Sequence, residues 1–175
     1  KDKGVYEFIE AEKKIRNKNI KARFWLVGNI DPSNPSSLTS EDIEKIKEDS
    51  KVKFLGFRKD ISRLYKYSNI AVLTSYREGF PKSLIEASAC GRPIITTDVP
   101  GCRDSIINNV TGILINKKNS QQLCDAIELL LKNDTLRKKM GYQARINAEN
   151  NYNINDVITK HMEIYNNLIN LWLFL

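Results

Sequence analysis

Two glutamates, Glu78 and Glu86, stand with seven residues between them in the stretch Glu78-Gly79-Phe80-Pro81-Lys82-Ser83-Leu84-Ile85-Glu86. A carboxylate accepts hydrogen bonds from paired hydroxyls, the groups a sugar presents. Gly79 lets the backbone come close to a ligand, and Pro81 suits the first turn of a helix. The N–H groups of Lys82, Ser83 and Leu84 then leave a helix N-terminus, where the dipole favours a phosphate. Carboxylates for hydroxyls beside a helix start for a diphosphate suit a nucleotide-sugar. A glutamate near a helix start can also simply complement the dipole, and the two acids alone leave both readings open.

The elements that would position these residues alternate along the chain. Helical apolar spacing runs over 4–17, with Val5, Phe8, Ile9 and Ile15. Residues 21–28 read as a buried strand, and the polar loop 29–37 carries two prolines and three serines. Thr39 with Asp42 forms a capping box for a helix to about residue 49. A short strand follows over 52–55, and Asp60 is placed to cap a helix ending at residue 67. Residues 70–74 (IAVLT) are apolar without alternation, as in a strand covered on both faces. A helix over 81–90, a strand over 93–97, a short helix over 103–108 and a strand over 112–115 complete the alternation. The remainder is helical: one helix begins after Asn119, a second spans 134–149, and Asn153 caps a third that runs toward residue 170.

Strands alternating with helices predict an α/β fold, a Rossmann-like parallel sheet with helices on both faces and a helical C-terminal region. No compositional break divides residues 1–175, which read as a single domain. The ligand crevice of such a sheet lies beyond the carboxyl ends of its strands. The Glu78 stretch starts where the strand IAVLT ends, at that edge.

Composition excludes several chemistries. The chain has 175 residues, 41% hydrophobic and 28% charged, an ordinary globular mix. No apolar run approaches the ~20 residues of a membrane span. Cys90, Cys102 and Cys124 are odd in number and form no C-x-x-C pair, which suggests free thiols. His161 is the one histidine, so a Ser-His-Asp triad, a Cys-His pair or a histidine zinc site would have to use it. It falls at helical spacing from Ile154, Val157, Ile158, Tyr165 and Leu168, which marks it as a packing residue. The formal net charge of +7 favours acidic partners. The lysines and arginines are spread along the chain without an aromatic-basic platform, which argues against nucleic acid.

The wording of the central stretch is more specific than its chemistry. The string E-G-F-P-x-x-x-x-E-A-x-A-C-G-x-P-I-I-x-T-D resembles the donor-binding signature of glycosyltransferase family 4, retaining enzymes of the GT-B fold. Phe54 to Phe57 (FLGF) with Arg58 and Asp60, the strand-turn AVLTSYREGFP, the run TDVPGCRDSI and TGILI follow in that family's order, so the resemblance spans nearly the whole chain. It implies that Glu78 contacts the donor sugar at the reacting ring and that Glu86 binds the ribose hydroxyls. It places the backbone of Gly79, Phe80 and Pro81 beside the sugar, the N–H groups of Lys82, Ser83 and Leu84 on the diphosphate, and Arg58 beside the base. Lys3-Gly4 matches the Lys-Gly of a basic pair that neutralises the leaving diphosphate, which makes Lys3 the second candidate catalytic residue with Glu78. A cation there meets the charge that builds in the transition state.

The resemblance implies sugar transfer from a nucleoside diphosphate, with retention and with no metal or other cofactor; no Asp-x-Asp motif is present. The loop that starts at Gly28 is similar to D-P-x-N-P-x-S inserts of bacterial enzymes that build capsule, O-antigen or lipid-linked oligosaccharide. That points to a UDP-hexose or UDP-N-acetylhexosamine donor and a glycan or polyprenyl-diphosphate-sugar acceptor, in the cytoplasm or at the inner face of its membrane. A surface loop shaped by its prolines is the plainer account of the same residues. Two departures stand out: the Arg preceding Lys-Gly and the first, central strand of the sheet are not in this sequence. The expectation is therefore the C-terminal, donor-binding half of a GT-B fold, a fragment without its N-terminal acceptor domain and not a competent transferase alone; the alternative is a module that binds a nucleotide-sugar without catalysis. The apolar residues Leu168, Leu171, Trp172, Leu173 and Phe174 would dock on that domain or touch a membrane.

Overall fold

The computed structural model describes residues 2–173, with side chains through residue 170. Helix α1 (Val5–Asn17) is followed by strand β1 (Trp25–Leu26), helix α2 (Ser40–Asp49), strand β2 (Lys53–Phe54), helix α3 (Ile61–Tyr67) and strand β3 (Ala71–Leu73). Helix α4 (Lys82–Ala89), strand β4 (Ile94–Thr97), a single 3₁₀ turn (Arg103–Ser105) and strand β5 (Gly112–Ile115) come next. Helices α5 (Ser120–Lys132), α6 (Asp134–Asn151) and α7 (Ile154–Leu173) close the chain.

All strand pairs are parallel. β1 pairs with β2, and β4 lies between β3 and β5. The two side-chain faces of β4 explain the layers. Ile95 belongs to a core built with Ile9 and Ile15 of α1 and Leu123, Ile127 and Leu130 of α5. Ile94, one residue earlier and so on the opposite face, packs with Leu84 and Ala87 of α4 and with Val99 and Cys102. Both isoleucines are fully buried. All four residues of β4 are buried. β3 is covered in the same way, Val72 facing the first core and Ala71 and Leu73 the second, which is why residues 70–74 read as apolar without alternation.

β1 and β3 are each paired along one edge only. A cleft of about 600 Å³, lined by Phe8, Trp25, Val72 and Ile127 among others, opens between them. Pairing along a single edge accounts for the shortness of β1. The predicted strand 21–28 contracts to two residues because its ladder runs to β2 alone, through Lys53 N–H to the Phe24 carbonyl (2.8 Å) and Leu55 N–H to the Leu26 carbonyl (2.9 Å).

The helix starts follow local chemistry. Thr39 accepts from the Asp42 N–H, and the Asp42 carboxylate accepts from the Thr39 N–H, a complete capping box. Asn119 and Asn133 cap α5 and α6 by accepting from Gln122 and Leu136. Asp60 differs from expectation. It occupies the N-cap of α3, but its carboxylate takes both Nε and Nη2 of Arg58 at 2.8 Å instead of a backbone N–H. A bidentate guanidinium pair outcompetes a single neutral donor, and it holds the Asp60 carboxyl below its usual range.

Helix α7 is a second correction. The apolar seam on which His161 was placed is not packed: Ile154, Val157, Ile158, Tyr165 and Leu168 are all exposed. His161 is exposed as well, its Nδ1 2.7 Å from the Val157 carbonyl. No described helix is long and apolar enough to cross a membrane. Of the apolar C-terminal residues, the side chains of Leu171, Trp172 and Leu173 and all of Phe174 lie outside the described residues.

Candidate functional site

The carboxyl ends of β1 and β3 face one cleft of about 650 Å³. Its wall on the β3 side comes from the turn into α4, which contributes Glu78, Pro81, Lys82 and Ser83. Gly28, at the end of β1, lies opposite, and Lys3 enters from the segment before α1. Of the residues expected at the site, Lys3, Gly28, Glu78, Pro81, Lys82 and Ser83 are thus brought together.

At the centre, the Lys3 ammonium donates to Glu78 Oε1 at 2.6 Å. The Glu78 side chain is 14% exposed and that of Lys3 62% exposed. A well-shielded carboxylate therefore holds a cation that solvent, or an anion in the cleft, can still reach. The α4 start lies on the same wall. The N–H groups of Lys82 and Ser83 have no backbone partner, while Leu84 donates to the Pro81 carbonyl at 3.1 Å. Two of the three N–H groups assigned to an anion are open to one, and the third is engaged in the first turn. Leu84 itself is buried beneath the helix.

The remaining expected residues sit around the cleft and not on its lining. Glu86 is exposed on α4, and its charge reaches Tyr65, whose hydroxyl donates to the Ser83 carbonyl at 2.9 Å. Burial first and Glu86 second push the Tyr65 pKa up to about 12. Arg58 is turned onto Asp60. Phe80 is half exposed, its ring edge-to-face with Tyr152 at 5.6 Å. Gly79 is exposed, and a methyl group there would meet nothing within 4 Å.

The proline-rich loop is a wall of the site: Asp31, Asn34, Ser36 and Ser37 line the cleft. The loop is folded on itself. Ser33 donates to Asp31 Oδ1 from its N–H (3.1 Å) and its hydroxyl (2.6 Å), and Ser36 N–H donates to Asn34 Oδ1 at 2.9 Å. Ser36 Oγ also reaches Asp2 Oδ2 at 2.8 Å, joining the loop to the Lys3 segment.

Sequence reasoning missed the residues that hold Lys3 in place. Thr74, buried at the end of β3, donates from Oγ1 to the Gly4 carbonyl at 2.8 Å, with the Lys3 carbonyl sharing the same hydroxyl at 3.2 Å. Gly4 has φ +67, and a Cβ there would fall 2.2 Å from the Thr74 carbonyl oxygen, so only glycine permits this approach. Gly101 does the same on the other side: its φ is +78, and a Cβ would stand 2.0 Å from the Gly79 carbonyl oxygen. The two glycines were visible as residue types, but the contacts that demand them join distant parts of the chain.

Among the described residues no group of three or more His, Cys, Asp or Glu could hold a metal ion. Cys102 and Cys124 are buried free thiols, each with its pKa raised by that burial.

Parallel strands, helices on both faces and a cleft at the carboxyl ends of the strands define a doubly wound α/β domain. The chain belongs to the glycosyl transferases group 1 family, whose model matches residues 1–147. It is 36% identical over 167 residues to the N,N'-diacetylbacillosaminyl-diphospho-undecaprenol alpha-1,3-N-acetylgalactosaminyltransferase of Campylobacter jejuni, covering 95% of this chain and 42% of that protein. Among solved structures it is similar to TarM of S. aureus in complex with UDP and alpha-GlcNAc-glycerol: TM-score 0.84, 26% identity, 95% of this chain and 33% of that one. The C-terminal domain of the group 1 glycosyl transferase LpcC from Francisella tularensis matches with TM-score 0.76 and 28% identity, over 87% of this chain and 81% of that one. The chain thus spans under half the length of the Campylobacter relative.

Proposed function

We propose that this chain is the donor-binding domain of a retaining glycosyltransferase. It takes a hexose or N-acetylhexosamine from a nucleoside-diphosphate sugar, with UDP as the nucleotide. The observation that carries this reading is the Lys3–Glu78 pair at the mouth of the cleft, beside the open N–H groups of α4. The Glu78 carboxylate accepts hydrogen bonds from the donor sugar hydroxyls and orients the ring. Lys3 and the α4 start take the diphosphate, and their fixed positive ends meet the charge that develops on it as the glycosidic bond breaks. Glu86, exposed one turn further along α4, receives the ribose hydroxyls, and Arg58 borders the base. The UDP found with TarM supports the choice of nucleotide.

The acceptor is a polyprenyl-diphosphate-linked sugar or a growing glycan, in keeping with the lipid-linked substrate named for the Campylobacter relative. It binds to a domain outside these residues, at the cytoplasmic face of the membrane. The exposed apolar side chains of α7 and the basic surface support peripheral contact there. Co-sedimentation with anionic vesicles tests that contact, and a chain left wholly in the supernatant removes it.

Titration of the chain with UDP, UDP-glucose and UDP-N-acetylglucosamine by calorimetry tests the donor assignment. Binding of UDP with a sugar-dependent difference supports it, and absence of any UDP binding contradicts it. In a transfer assay with labelled UDP-sugars the chain alone should show no robust turnover.

A further inference from the structure

Behind the cleft lies a group of contacts that the donor chemistry does not use. Tyr76, two residues before Glu78, is tied to the beginning of the chain twice. Its N–H donates to the Asp2 carbonyl at 2.8 Å, and its hydroxyl donates to Glu7 Oε1 at 2.5 Å. The Lys118 ammonium stands 5.2 Å from the centre of its ring, a third attachment from the loop after β5. Asp2 and Glu7 bracket Lys3 and Gly4, the stretch that Thr74 grips from the end of β3.

We propose that Tyr76 is a positioning residue: by fastening Asp2 and Glu7 to the β3–α4 turn, it holds the Lys3 ammonium over Glu78 and toward the donor diphosphate. This rests on the donor-site reading. Lys3 has a long, flexible side chain on an exposed segment, and an unfastened ammonium would lose rotamer freedom on meeting either partner. Fixing the backbone on both sides of it lowers that cost. The fastening is robust across the working pH range. Burial, then the bond to Glu7, keeps the Tyr76 hydroxyl protonated up to about 12, so it remains a donor.

The test has two arms on the 175-residue chain. Without ligand, the Lys3 side-chain amine is observed in spectra of chain labelled with ¹⁵N-lysine. The paired, exchange-slowed signal of wild type should vanish in Tyr76→Phe and in Glu7→Ala, and persist in Glu7→Gln, which keeps an oxygen acceptor. With ligand, Tyr76→Phe should weaken UDP about fivefold while changing UDP affinity less than about twofold in a Lys3→Ala background. An equal loss in both backgrounds would overturn the proposal, because a merely structural tyrosine acts independently of Lys3. So would a Lys3 signal unchanged in Tyr76→Phe. If wild type shows the predicted lysine behaviour but no affinity for UDP, the positioning role stands and the donor reading falls.

Discussion

Lys3 and Glu78, 75 positions apart in the chain, meet at 2.6 Å across the mouth of the strand-end cleft. In the proposed donor site, the cation assigned to the diphosphate is therefore held by the carboxylate assigned to the sugar. On that proposal an incoming nucleotide-sugar would have to part them, and Glu78 would compete with the diphosphate for Lys3. Glu78→Gln should bind UDP at least as tightly as wild type, because the competing charge is gone. The same variant should lose the affinity difference between UDP and UDP-sugar. Calorimetry on the two ligands checks both. The pair contributes little to folding, since ion pairs with an exposed member are worth ~0–1 kcal/mol. The thermal midpoint of Glu78→Gln should stay close to that of wild type.

Gly4 and Gly101 should be intolerant of any side chain. Gly4→Ala places a methyl 2.2 Å from the Thr74 carbonyl oxygen, and Gly101→Ala places one 2.0 Å from that of Gly79, both at positive φ. Left-handed backbone alone costs an L-residue ~1–3 kcal/mol, and the overlaps add to it. Each variant should lose more than about 2 kcal/mol in urea unfolding.

Gly79→Ala separates structure from function. A Cβ there meets nothing within 4 Å, so its urea midpoint should equal that of wild type. The methyl would stand where the donor is proposed to lie against the backbone. UDP-sugar affinity should fall severalfold while folding is unaffected.

Alkaline pH should weaken the fold through Tyr65 and Tyr76, both raised to about 12 chiefly by burial. In the unfolded chain these phenols ionise near pH 10. Above that value the unfolded state releases protons the folded state retains, so stability present below pH 10 is lost as pH rises toward 12. Tyr65→Phe and Tyr76→Phe should each flatten the fall in stability between pH 9 and 12. Chemical denaturation at a series of pH values reads the slope.

Local signals made much of this fold legible. The Thr39–Asp42 box, the Asn119 cap and the doubly covered run of β3 act over a few residues, and each element lies within a few positions of where the pattern put it. Glu78 and the α4 start were legible because a strand end, a glycine and a proline succeed one another there. Three features were not. The length of β1 depends on how many of its edges are paired, and only one is. The exposure of α7 contradicts an apolar seam that resembles any buried one. The fastening of Lys3 by Thr74, Tyr76 and Glu7 joins residues about seventy positions apart, and no spacing rule links them. Asp60 shows the converse: a correct cap position whose side chain a nearer arginine has taken.

The central claim is that Lys3 and the α4 start grip a nucleoside diphosphate. Calorimetric titration of UDP and of uridine into wild type and Lys3→Ala tests it most directly. Charged hydrogen bonds of ~1.5–3 kcal/mol correspond to about tenfold or more in affinity. The account predicts that Lys3→Ala weakens UDP by at least about tenfold and leaves uridine unchanged. Equal UDP affinity in the two proteins, or no UDP binding to wild type, would contradict it.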